Sequence, residues 1–256
     1  MEFLSTILCA FAVGAGLGSF ANVCILRLPS GESVVTPGSH CRSCKVVLPW
    51  TDKLPILSYA IIGGHCRVCR TPISTRYPAV EFITACLITA LFAEHGMGFE
   101  FLTYSILSVG LLVVAFIDFD HQVIPDAISL PGVILGLGLA VFSPQLGIWE
   151  SVGGAVLGAG ILASVRRGYW LLTKTEGMGR GDVRLLAMIG AFLGWKSVPF
   201  TLLVGSGVGS AVGIAMMIAN RSDLRMRIPF GPFLAVGALC YVFFGNAIIG
   251  WYFDIF

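Results

Sequence analysis

Charged residues are scarce in this chain. Asp, Glu, Lys and Arg make up only 12% of its 256 residues, whereas hydrophobic residues make up 56% and the mean hydropathy is +0.89. Because soluble domains carry roughly 25% charged residues, the composition excludes an ordinary soluble protein and indicates a chain embedded in lipid. The sequence also lacks internal repeats and low-complexity tracts. Its net charge of +2 gives no reason to expect a nucleic-acid partner.

The N-terminus lacks the basic residues and the small-residue cleavage site of a signal peptide, so we expect its apolar stretch to remain as a helix. A bilayer core needs about 20 apolar residues per helix. The sequence therefore predicts an all-α polytopic membrane protein with about eight transmembrane helices and a small zinc-binding cytoplasmic insert. The candidate spans are residues 3–26, 79–95, 100–117, 127–143, 150–171, 183–195, 198–219 and 232–252, of which the sixth is the shortest.

The distribution of Lys and Arg predicts the orientation of the chain. With these spans, only Lys196 of the 16 basic residues falls on one side, and all the others fall on the opposite side. Cytoplasmic loops carry the excess of Lys and Arg, so the basic side is predicted to be cytoplasmic. We expect a multi-pass membrane protein with both termini outside, which is the periplasm if the host is a Gram-negative bacterium.

One polar segment, residues 29–78, is predicted to form a small cytoplasmic domain between the first helix (1–28) and the remaining bundle (79–256). It contains two CxxC pairs that supply four thiols: Cys41, Cys44, Cys66 and Cys69. Two such pairs can close tetrahedrally around Zn²⁺, and a segment this small gains stability from a metal. Disulfides are the alternative, but a reducing cytoplasm disfavours them. Four thiolates would close the shell, so the role of zinc would be structural.

Acidic residues at helix ends are the second distinctive feature. Asp118 and Asp120 end the third span, Asp126 begins the fourth, and Asp182 precedes the sixth. A carboxylate at membrane depth is costly unless it is paired, hydrated or neutralised. Two Asp side chains that share a proton can activate water and protonate a scissile carbonyl, as in aspartic proteases. The glycines before Asp182 would let a substrate strand approach closely.

Three interpretations of these carboxylates stay open at this level. Asp126 and Asp182 could be helix N-caps, and Asp120 could be an ordinary juxtamembrane charge in water. Transporters also place carboxylates beside helices broken by Gly or Pro, so a proton-coupled transporter is the alternative of a different class.

Six motifs occur along nearly the whole chain in the same order as in the type IV prepilin peptidases, the bifunctional leader peptidase/N-methyltransferases, and the chain resembles that family. Presenilin-like proteases share only GxGD and lack a four-cysteine insert. The motifs are Gly18-Ser19-Phe20-Ala21-Asn22-Val23, the paired CxxC, Pro72-Ile73-Ser74-x-Arg76-Tyr77-Pro78-x-Val80-Glu81, Ile117-Asp118-x-Asp120-His121-x-x-x-Pro125-Asp126, Gly177-Met178-Gly179-x-Gly181-Asp182 and Ile228-Pro229-Phe230-Gly231-Pro232.

The resemblance implies a membrane aspartic endopeptidase with Asp118 and Asp182 as its catalytic pair. Asp120 and Asp126, together with Gly179 and Gly181, would support that pair. The implied substrates are prepilins or pseudopilins, whose short basic leader is removed after Gly. The implied partners are membrane lipid and the machinery that assembles pili or type II secretion systems.

The resemblance also implies that the new N-terminal residue is methylated by S-adenosylmethionine. No GxGxG fingerprint or βαβ pattern supports a nucleotide site in the insert, so a peptidase without methyltransferase activity is the nearer alternative. Asn22 and Glu81 are candidate residues for the second site, and helix–helix hydrogen bonding is the other interpretation of both.

Overall fold

The computed structural model describes residues 2–175, 178–220 and 228–255. Every regular element in these ranges is helical, as the sequence predicts, and the insert adds one 3₁₀ turn at Trp50–Lys53. The α-helices are α1 Glu2–Arg27, α2 Leu57–Ile61, α3 Arg76–His95, α4 Phe99–His121, α5 Asp126–Phe142, α6 Ile148–Thr173, α7 Arg180–Leu193, α8 Ser197–Asn220 and α9 Gly231–Ile255.

Five of these helices, α1, α3, α4, α6 and α8, are long and apolar enough to cross a membrane. Helix α5 and the described apolar part of α9 are shorter by the same measure. The polytopic all-α class is therefore confirmed, whereas the count of about eight spans stays a prediction. The domain boundaries at residues 28 and 78 also remain predictions.

The chain divides into two compact units, Met1–Phe101 and Leu102–Phe256. In the first unit, α1 lies directly against α3 because two glycines of α1 leave room for the backbone of α3. A Cβ on Gly14 would lie 2.7 Å from Cα of Ala85, and a Cβ on Gly18 would lie 2.6 Å from Cα of Glu81. Glycines four residues apart are the usual means of such close helix contact in membranes.

The second unit is organised around α7, the short sixth span of the sequence prediction. Every residue from Leu185 to Leu193 is buried, so α7 is enclosed by protein on all sides. Gly154 and Gly158 of α6 contact the backbone of α7 at Gly190 and Leu186. A helix that is enclosed by other helices need not match the bilayer thickness by itself, which explains why its apolar run is short.

Candidate active site and metal centre

Asp118 lies near the end of α4 and is only 5% exposed. Its Oδ2 accepts a hydrogen bond of 2.8 Å from the backbone N–H of Gly231, the first residue of α9. A Cβ at position 231 would lie 2.7 Å from the same oxygen, so the approach requires glycine. One acceptor position of the carboxylate is thus fixed by a backbone donor from another helix.

Asp182 lies in the first turn of α7 and is 8% exposed. Its carboxylate accepts hydrogen bonds from its own backbone N–H and from that of Gly179, the N-cap residue. The bond to the N–H of Gly179 is one half of a capping box, in which Asp182 is the third residue of the helix. Gly179 is the N-cap, so Asp182 is not the N-cap residue that the sequence allowed. A capping role alone does not require that the carboxylate of Asp182 be buried. This carboxylate also lies close to a second carboxyl group.

That neighbour is Asp118. The two carboxyl groups come from different helices and lie close enough for the charge of Asp118 to act on Asp182. Both are buried, and the hydrogen bonds described above hold both in place. Two such carboxyl groups titrate as a coupled pair, because ionising both in one dry site is unfavourable. The arrangement can therefore present one neutral and one ionised carboxyl group to a substrate.

Asp126 and Asp120 have different surroundings from this pair. Asp126 is exposed and forms an ion pair with Arg184 of α7, two residues beyond Asp182. Asp120 is exposed at the end of α4. Asp126 therefore contacts the helix that carries Asp182. Neither Asp126 nor Asp120 is a buried carboxyl group.

The glycines of the GxGD motif have separate structural roles. A Cβ on Gly181 would lie 2.6 Å from Cβ of Ile124, so this glycine lets the segment before α5 pack on α7. A Cβ on Gly179 would lie 3.2 Å from Oδ2 of Asp182, which is a tight but less severe contact. Gly177 lies outside the described residues.

Sequence reasoning gave no role to two residues of this site. Gly231 was part of a quoted motif, and its neighbouring prolines were the only signal that its backbone is constrained. Arg184 was counted only as a positive charge for the orientation of the chain. Its spacing of two residues from Asp182 gave no indication that it would pair with Asp126.

The four insert cysteines form a cluster in which all four Sγ atoms lie within 4.8 Å of one another. The Sγ atoms of Cys41 and Cys69 are 3.7 Å apart, and those of Cys44 and Cys66 are 4.0 Å apart. A tetrahedral zinc ion with Zn–S bonds of about 2.3 Å requires sulfur–sulfur separations of about 3.8 Å. The cluster therefore fits a zinc ion, and all eight cysteines are free thiols.

The two CxxC pairs also share one backbone design. The N–H of the residue after each second cysteine, Lys45 or Arg70, donates to the carbonyl of the first cysteine of its pair. Both of these residues have positive φ, at 59° and 57°. His40 and His65 precede the pairs, and each bonds through Nδ1 to the carbonyl of a glycine two residues earlier. Each pair is thus shaped for metal binding by backbone bonds, with the histidines outside the sulfur cluster.

Hydrogen bonding favours thiolate formation at two of these cysteines. Bonds from the Thr71 hydroxyl and the Thr71 backbone lower the pKa of Cys69 to about 6. Backbone N–H groups of Cys44 and Ser43 lower the pKa of Cys41. The Val46 N–H lowers the pKa of Cys44, but desolvation and hydrogen bonds with the other cysteines outweigh it and raise that pKa to about 11. Because the thiolate is the form that ligates metal, hydrogen bonding favours the ligating form at Cys69 and Cys41 but not at Cys44.

Asn22 and Glu81 both make bonds to the protein's own backbone. Asn22 Nδ2 donates to the carbonyl of Tyr77 at 2.9 Å. Glu81 Oε2 accepts from the backbone N–H of Ile56 at 2.7 Å, and its carboxylate also bonds to Ser19. The Asn22 bond joins α1 to the start of α3, and the Glu81 bond to Ile56 joins α3 to the insert, in agreement with the interpretation as structural hydrogen bonds.

Comparison with known proteins adds two family matches. Residues 12–95 match the bacterial peptidase A24 N-terminal domain, and residues 105–214 match the type IV leader peptidase family. No solved structure gives a significant match.

Curated relatives match the chain over nearly its full length. A prepilin leader peptidase/N-methyltransferase of Pseudomonas aeruginosa is 35% identical over 96% of this chain and 92% of its own. Proteins of the same name are 34% identical in Stutzerimonas stutzeri, over 98% of this chain and 97% of the relative, and 35% identical in Aeromonas hydrophila, over 92% and 90%.

Proposed function

The chain belongs to the type IV leader peptidase family, and we propose that it cleaves the leader from prepilins with Asp118 and Asp182 and then N-methylates the new N-terminus. The observation that carries the catalytic assignment is the pair of buried carboxyl groups from α4 and α7, held by the backbone of Gly231 and Gly179. The transporter alternative is not favoured, because relatives that share nearly the full length are named as peptidases.

The proposed chemistry is that of an aspartic peptidase with water as the nucleophile. The ionised member of the pair takes a proton from water while the neutral member donates one to the scissile carbonyl oxygen. The Gly231 N–H binds Oδ2 of Asp118 and so fixes the orientation of this carboxyl group. Oδ1 of Asp118 does not accept this bond and can face the substrate. The shared proton belongs to the pair and is not assigned to either aspartate.

Asp126 is proposed to support the pair by positioning rather than by proton transfer. It acts on α7 through Arg184, and Gly181 lets Ile124 pack beside the first turn of the same helix. These contacts hold the start of α5 against the helix that carries Asp182. Asp120, exposed at the end of α4, is proposed to support the site from the water side.

The proposed site of cleavage is the cytoplasmic edge of the membrane. The basis for this proposal is the excess of Lys and Arg on one side, which predicts that the insert, Asp118 and Asp182 lie in or next to the cytoplasm. A prepilin leader is basic and remains in the cytoplasm, while the helix that follows it lies in the bilayer. The proposed partners are therefore prepilins or pseudopilins in the inner membrane and the pilus or type II secretion machinery that takes up the product.

Zinc is proposed to be held by Cys41, Cys44, Cys66 and Cys69. Four thiolates close the coordination shell, so the ion would supply stability to the insert rather than activate water. The insert has few buried side chains of its own, with Cys66 among them, which makes a metal the main stabilising centre.

S-adenosylmethionine is the proposed methyl donor, and Asn22 and Glu81 remain candidates for its site. Their described contacts are to the backbone of Tyr77 and Ile56 and to Ser19, which supports the alternative of a structural role. In that role Asn22 joins α1 to α3, and Glu81 joins α3 to the insert.

The test of the catalytic pair is cleavage of a purified prepilin by Asp118→Asn and Asp182→Asn variants. Both should abolish cleavage while inserting in the membrane and retaining zinc as the wild type does. Glu94→Gln is a matched control, because Glu94 is an exposed carboxylate in the other unit and its loss should leave cleavage unchanged. Near-normal cleavage by either aspartate variant would refute the assignment.

A further inference from the structure

A basic cavity lies in the second unit between α6 and α7, close to the first turn that carries Asp182. Its volume is about 420 Å³. Four arginines and one tryptophan line it: Arg166, Arg167, Trp170, Arg180 and Arg184. All the charged side chains in its lining are positive, and we refer to these five residues as the arginine cavity.

The helix packing explains where the cavity forms. Along the first half of α6, Gly154 and Gly158 bring its backbone against α7. Towards the end of α6 the facing residues become large, with Arg166, Arg167 and Trp170 replacing glycine. The two helices therefore contact closely at one end and leave a side-chain-lined space at the other, next to the N-terminus of α7.

The charges of the cavity favour a bound anion. Arg167 lies 5.4 Å and Lys174 lies 4.7 Å from the ring centroid of Trp170, so two cations gather around one aromatic side chain. Arg184 forms an ion pair with Asp126, which is not among the residues that line the cavity. The N-terminus of α7, which begins at Arg180, adds the positive end of a helix dipole. The guanidinium groups of the lining and this helix end would both attract an anion.

The chemistry of the lining indicates a phosphate-bearing ligand. Guanidinium groups match phosphate oxygens with paired donors, and several of them together are typical of phosphate sites. The lining disfavours S-adenosylmethionine, because the sulfonium and ammonium groups of that molecule outweigh its single carboxylate and leave it with a net positive charge.

The position of the cavity favours a lipid headgroup over free phosphate. Helix α6 is long and apolar enough to span the membrane, and the cavity lies at its C-terminal end. Leu171 and Leu172, just beyond Trp170, are 53% and 87% exposed. Arginine and tryptophan beside exposed leucine are typical of the membrane–water interface, where basic residues attract anionic lipids.

We propose that the arginine cavity binds the phosphate headgroup of an anionic phospholipid. The bound headgroup contacts both α6 and the first turn of α7, next to the candidate active site. This inference concerns a separate ligand and does not depend on the peptidase assignment.

Native mass spectrometry of the full-length protein in detergent tests the proposal. The protein is titrated with dioleoylphosphatidylglycerol, with dioleoylphosphatidylcholine, and with the anionic lipid in the presence of inorganic phosphate. We expect the anionic lipid to bind more tightly than the zwitterionic lipid. Millimolar inorganic phosphate should leave it bound. Equal binding of the two lipids would overturn the proposal, and displacement by phosphate would identify a site for the free anion instead.

Two sets of variants locate the lipid. Arg166→Gln with Arg167→Gln should weaken binding of phosphatidylglycerol roughly tenfold or more, since each basic residue near an anionic lipid contributes about fivefold. Arg180→Gln alone, on the opposite helix, should weaken it by about fivefold. Arg166→Lys with Arg167→Lys keeps the charge and should retain most of the binding, which separates loss of charge from loss of folding.

The matched control is Arg42→Gln with Lys53→Gln, which removes two charges from the insert and should leave lipid binding unchanged. The proposal is overturned if this control weakens binding as much as the α6 pair. It is also overturned if the α6 pair binds the anionic lipid like the wild type.

Discussion

Substitution of Gly231 by alanine tests how the structure positions Asp118. The new Cβ would lie 2.7 Å from Asp118 Oδ2 and 3.2 Å from Cγ, so the carboxylate or the start of α9 must move. This movement breaks the 2.8 Å hydrogen bond from the Gly231 N–H. The shared proton is assigned to neither aspartate, so the bond contributes between about 1 kcal/mol, for a neutral acceptor, and about 3 kcal/mol, for a charged one. This range corresponds to roughly a 5- to 150-fold loss of kcat/KM.

Whether the loss of kcat/KM comes from kcat or from KM distinguishes an effect on the position of Asp118 from an effect on substrate binding. In the proposed mechanism Asp118 acts on the reacting bond, so kcat should fall while KM stays within about twofold of the wild type. The assay is cleavage of a purified prepilin by detergent-solubilised protein, with the product followed by mass spectrometry. A Gly231→Ala variant whose kcat is within about twofold of the wild type would refute the role of this contact.

Gly160→Ala provides the matched control for the alanine substitution. Gly160 lies in α6, and among the described residues no atom other than its chain neighbours and the nearby backbone of α6 lies within 4 Å of the position of its Cβ. Alanine has the higher helix propensity by about 1 kcal/mol, so this variant should be at least as stable as the wild type and equally active. The contrast between the two variants isolates the steric contact with Asp118 from the general effect of replacing glycine.

Two further predictions concern the metal cluster and the ion pair. Cys41→Ser with Cys44→Ser should reduce zinc to below half an equivalent by metal analysis and impair methylation more than cleavage, because two of the four ligands are lost while the aspartates lie in the other unit. Asp126→Asn and Arg184→Gln should each lower cleavage less than Asp118→Asn does. In a double-mutant cycle on unfolding free energy, the two substitutions should be non-additive by about 0.2–1 kcal/mol, since the pair is partly exposed and screened by water.

Each of these predictions has a contradicting result. Equal loss of methylation and cleavage in the double cysteine variant would mean that the insert chiefly stabilises the whole protein. Full additivity of Asp126→Asn and Arg184→Gln in a double-mutant cycle would mean that the ion pair has no energetic effect. Abolished cleavage in Asp126→Asn would require a more direct role for Asp126 than positioning.

The sequence was most informative where one local property decides the structure. Long apolar runs predicted the main helices, so the expected span 198–219 corresponds to α8, Ser197–Asn220. The spacing of the two CxxC pairs similarly predicted the sulfur cluster, because four thiols in one small segment have few other places to meet. The family motifs identified Asp118 and Asp182, and the structure brings these two residues together.

The sequence was less informative where a contact joins distant segments. Gly231 is 113 positions from Asp118 along the chain, and only the fold shows that its N–H binds that carboxylate. Arg184 and Asp126 are 58 positions apart, and either could have been an ordinary surface charge. The polarity of Asn22 and Glu81 indicated buried sites correctly, but polarity alone could not distinguish a ligand site from hydrogen bonds to the backbone of the insert.

The most direct test of the account is to incubate a purified prepilin and labelled S-adenosylmethionine with the wild type and with Asp118→Asn or Asp182→Asn, and to measure the mass of the product's N-terminus. The wild type should release the leader after Gly and add one labelled methyl group to the new terminal amine. Either aspartate variant should leave the prepilin intact and unlabelled. A leader removed by either variant, or a wild-type product of unchanged length, would contradict the central claim that these two aspartates cleave prepilins.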